Sequence, residues 1–215
     1  MHGMENPNRP KTGQTMRYAK ILFAAALLSA LSAPAFAAWQ DRVNGYDRMP
    51  SSAWKKYRQA GLFAASRGPG ADQDTIRPVV EPPSGPISAQ ALTGDWQCRQ
   101  MKLGGLTPTK VYSWFRCRVR QTPYGLYFEK YTGSERYAGY LDAYEGGRFG
   151  LMAAIMVGDE PSKPYSGGNE AEGAIASSSD AIGVVSSMGP GRVRIEFPFP
   201  VIESYFDVIE MRRGR

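Results

Sequence analysis

Histidine is almost missing: the chain holds a single one, His2. It falls in a stretch that reads as a removable leader, so the mature chain is expected to have none. That excludes Ser-His-Asp and Cys-His nucleophiles, histidine general bases and His-ligated zinc. Cysteine is scarce as well, with only Cys98 and Cys117; if the two are bonded, thiolate chemistry goes too. The apolar run from Ile21 to Leu31 is shorter than the roughly 20 residues a bilayer span requires, and no later stretch qualifies. Carboxylate, Lys, Tyr or Ser chemistry is what remains, and no motif announces it. No metal site and no cofactor is expected.

The N-terminal stretch has the layout of a secretory signal peptide. Arg17 and Lys20 supply a basic region, Ile21 to Leu31 an apolar one, and Ala35-Phe36-Ala37 an A-x-A cleavage site. Residues 1–37 are therefore read as the signal peptide. Met16 is the expected start, with residues 1–15 an over-long beginning. No cysteine follows the cleavage site, which argues against a lipid anchor. Removing the leader reduces 26 basic and 20 acidic residues to 22 and 19, a net charge of +3. So mild a charge gives little reason to expect a polyanionic partner. The expected location is periplasmic.

The two cysteines define the most informative stretch, Gly94 to Arg120. Gly104, Gly105, Thr107 and Pro108 mark a reversal. If the chain turns midway between residues 107 and 108, Cys98 lies directly opposite Cys117, within reach of a disulfide. Two free thiols fit the sequence equally well, and an oxidising compartment favours the bond. Alternation then puts Phe115, Cys117 and Val119 on a core face and Trp114, Arg116, Arg118 and Arg120 on the other. A second reversal at residues 122–125 sets Phe128 near Val119 and Glu129 near Arg118, with Tyr127 and Tyr131 on the arginine face. Lys130 is the exception on the apolar face.

Before the hairpin, residues 38–67 read as a helical segment. Pro50-Ser51-Ser52 begins a helix, and Trp54, Tyr57, Gly61 and Leu62 follow at helical spacing. Ser52 and Lys55 match an S-x-x-K spacing, but its companion motifs are missing and Ser51 or Ser52 as a helix cap accounts for the serine. Residues 68–90, punctuated by Pro and Gly, read as a linker with no element of its own. Residues 91–215 form the β-barrel domain. Strands are expected at 136–143, 149–157, 181–187, 192–197 and 205–212. The 149–157 strand is apolar on both faces and needs a cover outside the barrel, for which the helix with Trp54 and Leu62 is available. Residues 158–179 carry no periodicity and read as a long connection. The count reaches eight strands, and the expected fold class is all-β: an eight-stranded antiparallel up-and-down barrel with a small α segment at the N-terminus.

Gly94-Asp95-Trp96 resembles the G-x-W motif of lipocalins and related calycin barrels. The resemblance implies that Trp96 closes the barrel floor against a late basic residue, Arg212 or Arg213. Thr93 to Arg99, Ser113 to Arg118, Glu129 to Ser134 and Glu203-Ser204 look like a secreted alphaproteobacterial family of unknown function, which implies export and no particular activity. The layout also resembles periplasmic protease inhibitors of the small-barrel type, whose N-terminal trunk blocks a cleft. Here that trunk would be residues 38–50, with Trp39, Asp41 and Tyr46.

These observations point to a non-enzymatic periplasmic barrel of unassigned function. An apolar or amphipathic small molecule is the candidate ligand, with Trp96, Phe115, Phe128 and Tyr137 near the lumen; the same aromatics could instead simply fill the core. The alternative is a cell-envelope interaction protein or periplasmic enzyme inhibitor using Trp114, Arg116, Arg118, Tyr127 and Tyr131. Export argues against a nucleic-acid partner. A glycan hydrolase would need two acids about 5 to 10 Å apart, and Glu129 and Asp142 are the pair that strand position offers.

Overall fold

The computed structural model describes residues 39–43, 47, 51–166, 179–200 and 203–214. The leader, Tyr46 of the trunk and most of the 158–179 connection lie outside the described residues. The core of the molecule is eight antiparallel strands: β1 (Gly94–Leu103), β2 (Thr109–Thr122), β3 (Gly125–Lys130), β4 (Glu135–Tyr144), β5 (Arg148–Val157), β6 (Asp180–Ser187), β7 (Arg192–Phe197) and β8 (Phe206–Arg212). Each pairs with its sequence neighbour, and β8 pairs back onto β1, which closes an up-and-down barrel. The expected fold class is observed.

Alternation decides what points inward. Trp96, Cys98, Cys117, Val119, Phe128, Tyr137, Leu151, Val185, Ile195 and Ile209 belong to one packed interior cluster. Val119 stands opposite Phe128 and Arg118 opposite Glu129, as expected.

The first hairpin needs a correction. Cys98 stands opposite Phe115, and Cys117 opposite Trp96, because the chain reverses about residue 106, with Leu103 paired to Thr109, rather than between residues 107 and 108; that is three positions of register, of which a bulge between Arg99 and Met101 recovers only one. The cysteines are diagonal neighbours, with Cα atoms 5.9 Å apart, and they are bonded. A shift of two positions keeps every side chain on its face, so the core and arginine faces survive the error. Both cysteines are fully buried. Replacing both with alanine is expected to leave the far-UV spectrum of the barrel intact. It should lower stability by about 3 kcal/mol, the usual value for a loop near 20 residues, read from urea midpoints.

Helices cover the outside. α1 (Trp39–Arg42) lays Trp39 on β5 at Gly150, where a Cβ would come within 2.3 Å of the indole. α2 (Ser51–Ala65) crosses β8 at Gly61, whose missing side chain lets the helix approach Phe206. The cover expected over β5 is divided. Trp54 joins Trp39, Val43 and Met152 there, while Leu62 packs with Met101, Leu103, Phe206 and Val208 on β1 and β8.

The stretch expected to be a linker is not empty. It contains α3 (Gly70–Val80) and a short turn of helix, α4 (Ala89–Leu92). Pro69 precedes α3, where a missing N–H costs nothing, and Pro78 enters only in the last turn. Ile76, Val79 and Val80 are buried at helical spacing. The C-terminal carbonyls, normally left unbonded, are met by Arg194 of β7, which donates to Val79 O at 2.7 Å and Pro82 O at 2.8 Å, and by Arg58, which donates to Val80 O at 2.7 Å. One of these partners is 22 residues away and the other more than a hundred, and the local Pro and Gly content reveals neither.

Candidate functional site

The two ends of the barrel differ. One is a sealed floor. Trp96 is buried, its indole N–H donates to Leu92 O at 2.8 Å, and the guanidinium of Arg213 lies 3.8 Å from the ring centroid. Arg213 also donates to Ala91 O and Thr93 O, both at 2.7 Å, and to Asp95 O at 3.1 Å. Gly94 has φ +121, and a Cβ there would stand 2.6 Å from Arg213 Nη1, so both backbone and packing require glycine. Of the two arginines offered for the floor, Arg213 takes the place over Trp96, and Arg212 lies over Trp114 on the outer face.

The other end is a mouth with a cavity of about 250 Å3. One wall is apolar: Ile155, Ile182, Phe197, Phe199 and Pro200. The other is charged. Lys102 of β1 is held between Glu135 of β4 at 3.1 Å and Glu203 at 3.2 Å. Gln100 donates to Glu135 at 2.7 Å and to the Tyr137 hydroxyl at 2.8 Å, and Tyr137 donates in turn to Glu135. Asp207 of β8, directly opposite Lys102, accepts from Ser204 at 2.5 Å.

Burial and neighbours set the protonation of this cluster. Burial pushes the Asp207 carboxyl up; the Ser204 hydrogen bond and Lys102 pull it back, and Glu135 repels its charge, leaving it at about 7. Burial would also raise Glu135, but hydrogen bonds from Tyr137 and Gln100, together with Lys102, hold it below the ordinary range. Lys102 would be lowered by burial, yet Asp207 and Glu135 more than offset that and its ammonium is stabilised. The Tyr137 phenol is raised well above its usual value, first by burial and then by Glu135 and Asp207. The mouth thus carries an ammonium, a firmly ionised carboxylate and an acid that changes charge near neutrality. Perturbed groups converging in a pocket of this kind mark a functional-site candidate.

Of the four lumen candidates, Tyr137 borders this cavity. Phe128 and Phe115 pack in the filled interior, the latter with the buried Lys130 ammonium 4.4 Å from its ring centroid, and Trp96 belongs to the floor. Phe197 lies beside Tyr137 with centroids 5.5 Å apart. The interaction-face candidates lie outside. Trp114 is flanked by Arg99 and Arg212, Arg118 pairs with Glu129 at 2.6 Å and lies over Tyr131, and Arg116 is exposed. Tyr127 belongs to a neighbouring stretch of that surface, opposite Arg120. Both acids of the pair offered for hydrolysis are ion-paired: Glu129 is taken by Arg118 and Arg120, and Asp142 by Arg42 at 2.7 Å. Trp39 of the expected trunk is buried against the barrel. Among the described residues no group of three or more Cys, Asp or Glu is arranged to hold a metal ion.

Gln100, Lys102, Glu135 and Asp207 were not singled out by the sequence. A signal was nevertheless there. Each shares strand parity with core residues: Gln100 and Lys102 with Trp96 and Cys98, Glu135 with Tyr137 and Leu141, Asp207 with Ile209 and Met211.

A family model described as a domain of unknown function (DUF4893) matches residues 39–211. No curated protein and no solved structure matches the chain.

Proposed function

We propose, for a chain that belongs to the DUF4893 family of unknown function, the role of an exported, non-catalytic binding barrel that takes one small amphipathic molecule in its mouth. The observation that carries this reading is the pocket of about 250 Å3 between Phe197, Phe199 and Ile155 on one side and Lys102, Glu135 and Asp207 on the other. Its size lies just below the usual range of roughly 300 to 1,000 Å3, which favours a small ligand. The apolar wall would bury the body of that ligand. Carboxylates outnumber the single ammonium, so the polar end would be a cation or a hydrogen-bond donor. The buried disulfide is compatible with an exported protein, and the leader-like N-terminus supports that part of the reading. A non-catalytic role is supported by the absence of histidine among the described residues and by Glu135 being engaged by three donors at once.

Ala181 lines the pocket and faces Ala153 across β5 and β6, so Ala181→Phe would fill it. The test is native mass spectrometry of protein purified from the envelope fraction of its own host. The parent is expected to carry a bound small molecule, and the folded Ala181→Phe variant to be empty. Ligand-free parent protein, equal retention by both, or absence of the protein from the envelope would count against the reading.

A further inference from the structure

A second cavity, of about 830 Å3, lies on the outer face of the barrel and shares no lining residue with the mouth. Its base is a cross-strand row. Arg120 stands opposite Tyr127, Tyr127 opposite Tyr140, and Tyr140 opposite Met152, so four adjacent strands, β2 to β5, contribute one side chain each. Tyr127 and Tyr140 meet edge to face with centroids 4.8 Å apart. Ala138 and the backbone of Gly139 beside them complete the base of the trough, and Tyr165 and Lys163 form the far wall. Tyr124, 80% exposed, stands at one end.

The charge is one-sided. Arg42, Arg120 and Lys163 line the trough, and among the described residues no carboxylate does. Arg42 is neutralised by Asp142 and Lys163 by Glu160. Arg120 is different: it shares Glu129 with Arg118, which holds the same oxygen at 2.6 Å against 3.3 Å for Arg120. One carboxylate cannot neutralise two guanidiniums, so a surplus positive charge stays at the trough, on a side chain 51% exposed. Arginine pairs readily with carboxylates in this way, and its planar fork favours them over neutral groups.

An open trough several times larger than the mouth pocket, paved with tyrosine rings and hydroxyls, suits an extended ligand with flat apolar ring faces and many hydroxyls. With the surplus arginine, we infer that the trough binds a short acidic glycan. A sugar ring face would lie on Tyr140, and a uronate carboxylate would meet Arg120, whose guanidinium is held over the Tyr127 ring at 5.0 Å from its centroid.

The probe is a tetramer of galacturonic acid, titrated calorimetrically into the full chain at low and moderate salt. Cellotetraose serves as the neutral comparison and tetraglutamate as the peptide of equal charge. The acidic tetramer is expected to bind best, and Tyr127→Ala or Tyr140→Ala to weaken it about tenfold, as loss of an aromatic contact of about 1.4 kcal/mol implies. Arg120→Gln should remove the preference over cellotetraose, and Ala181→Phe in the mouth should change nothing. Should an alanine variant fail to fold, the exposed Arg120→Gln substitution decides alone. Absence of binding, equal affinity for cellotetraose, preference for tetraglutamate, or binding indifferent to Arg120 would overturn the assignment.

Discussion

Asp207→Asn should make the protein more stable at pH 8 while changing it little at pH 4. The Asp207 carboxyl moves from 3.8 to about 7 on folding, mainly because it is buried. A raised acid favours the folded state fully only below its unfolded value. That contribution declines as pH rises through 4 and has gone once pH passes about 7. Three pKa units correspond to about 4 kcal/mol, so the parent loses roughly that much between pH 4 and pH 8 through this one group. Asparagine keeps an acceptor for Ser204 and never ionises. Urea midpoints at pH 4, 6 and 8 should therefore show a gap between variant and parent that grows from under about 1 kcal/mol to about 4. A gap that stays constant with pH would mean Asp207 is not held in a poorly solvated site. The mouth would then lack the near-neutral acid that distinguishes it.

Trp96→Ala is expected to cost about 4 kcal/mol, the range for removing a buried large aromatic. The indole is 4% exposed, bonds Leu92 O, and carries Arg213 on its face. Its loss leaves a cavity at the floor and frees Arg213 from its ring. For a domain with a total stability of about 5 to 15 kcal/mol, this approaches the unfolding limit. Trp96→Phe, which keeps part of the volume, should cost clearly less. Hydrogen exchange would locate the damage: amides of Ala89 to Leu92 and of Arg213 should lose protection before those near Lys102. Uniform loss of protection at both ends would show that the floor is not a separately held unit.

The parts of this fold that obey local rules were legible in the sequence. The tight turn at Thr122 to Gly125 and the alternation of Arg192 to Phe197 placed strands to within a residue or so. What failed depended on distant partners. The first hairpin turns about residue 106 rather than between residues 107 and 108, and the bulge near Gln100 and the pairing of β1 with β8 on its other side set where those residues go. α3 was hidden by Pro69 and Pro78 because its cap comes from Arg194 and Arg58. The mouth was missed for the same reason. Lys102 and Asp207 become neighbours only when the last strand meets the first, and a lone charge in a strand is ordinarily read as facing water. The parity of Lys102, Glu135 and Asp207 with core residues is a local sign that they face inward, and charge alone concealed it.

Gln97 and Arg212 bond across 115 positions to complete the ring of strands. Until β8 arrives, β1 and β7 each present a bare row of amides and carbonyls on which a second molecule could template itself. Loss or delay of that final segment would therefore do more than weaken a monomer. It would convert a self-satisfied cylinder into a ribbon with two adhesive margins, and half-made chains should be caught as aggregates rather than as soluble fragments.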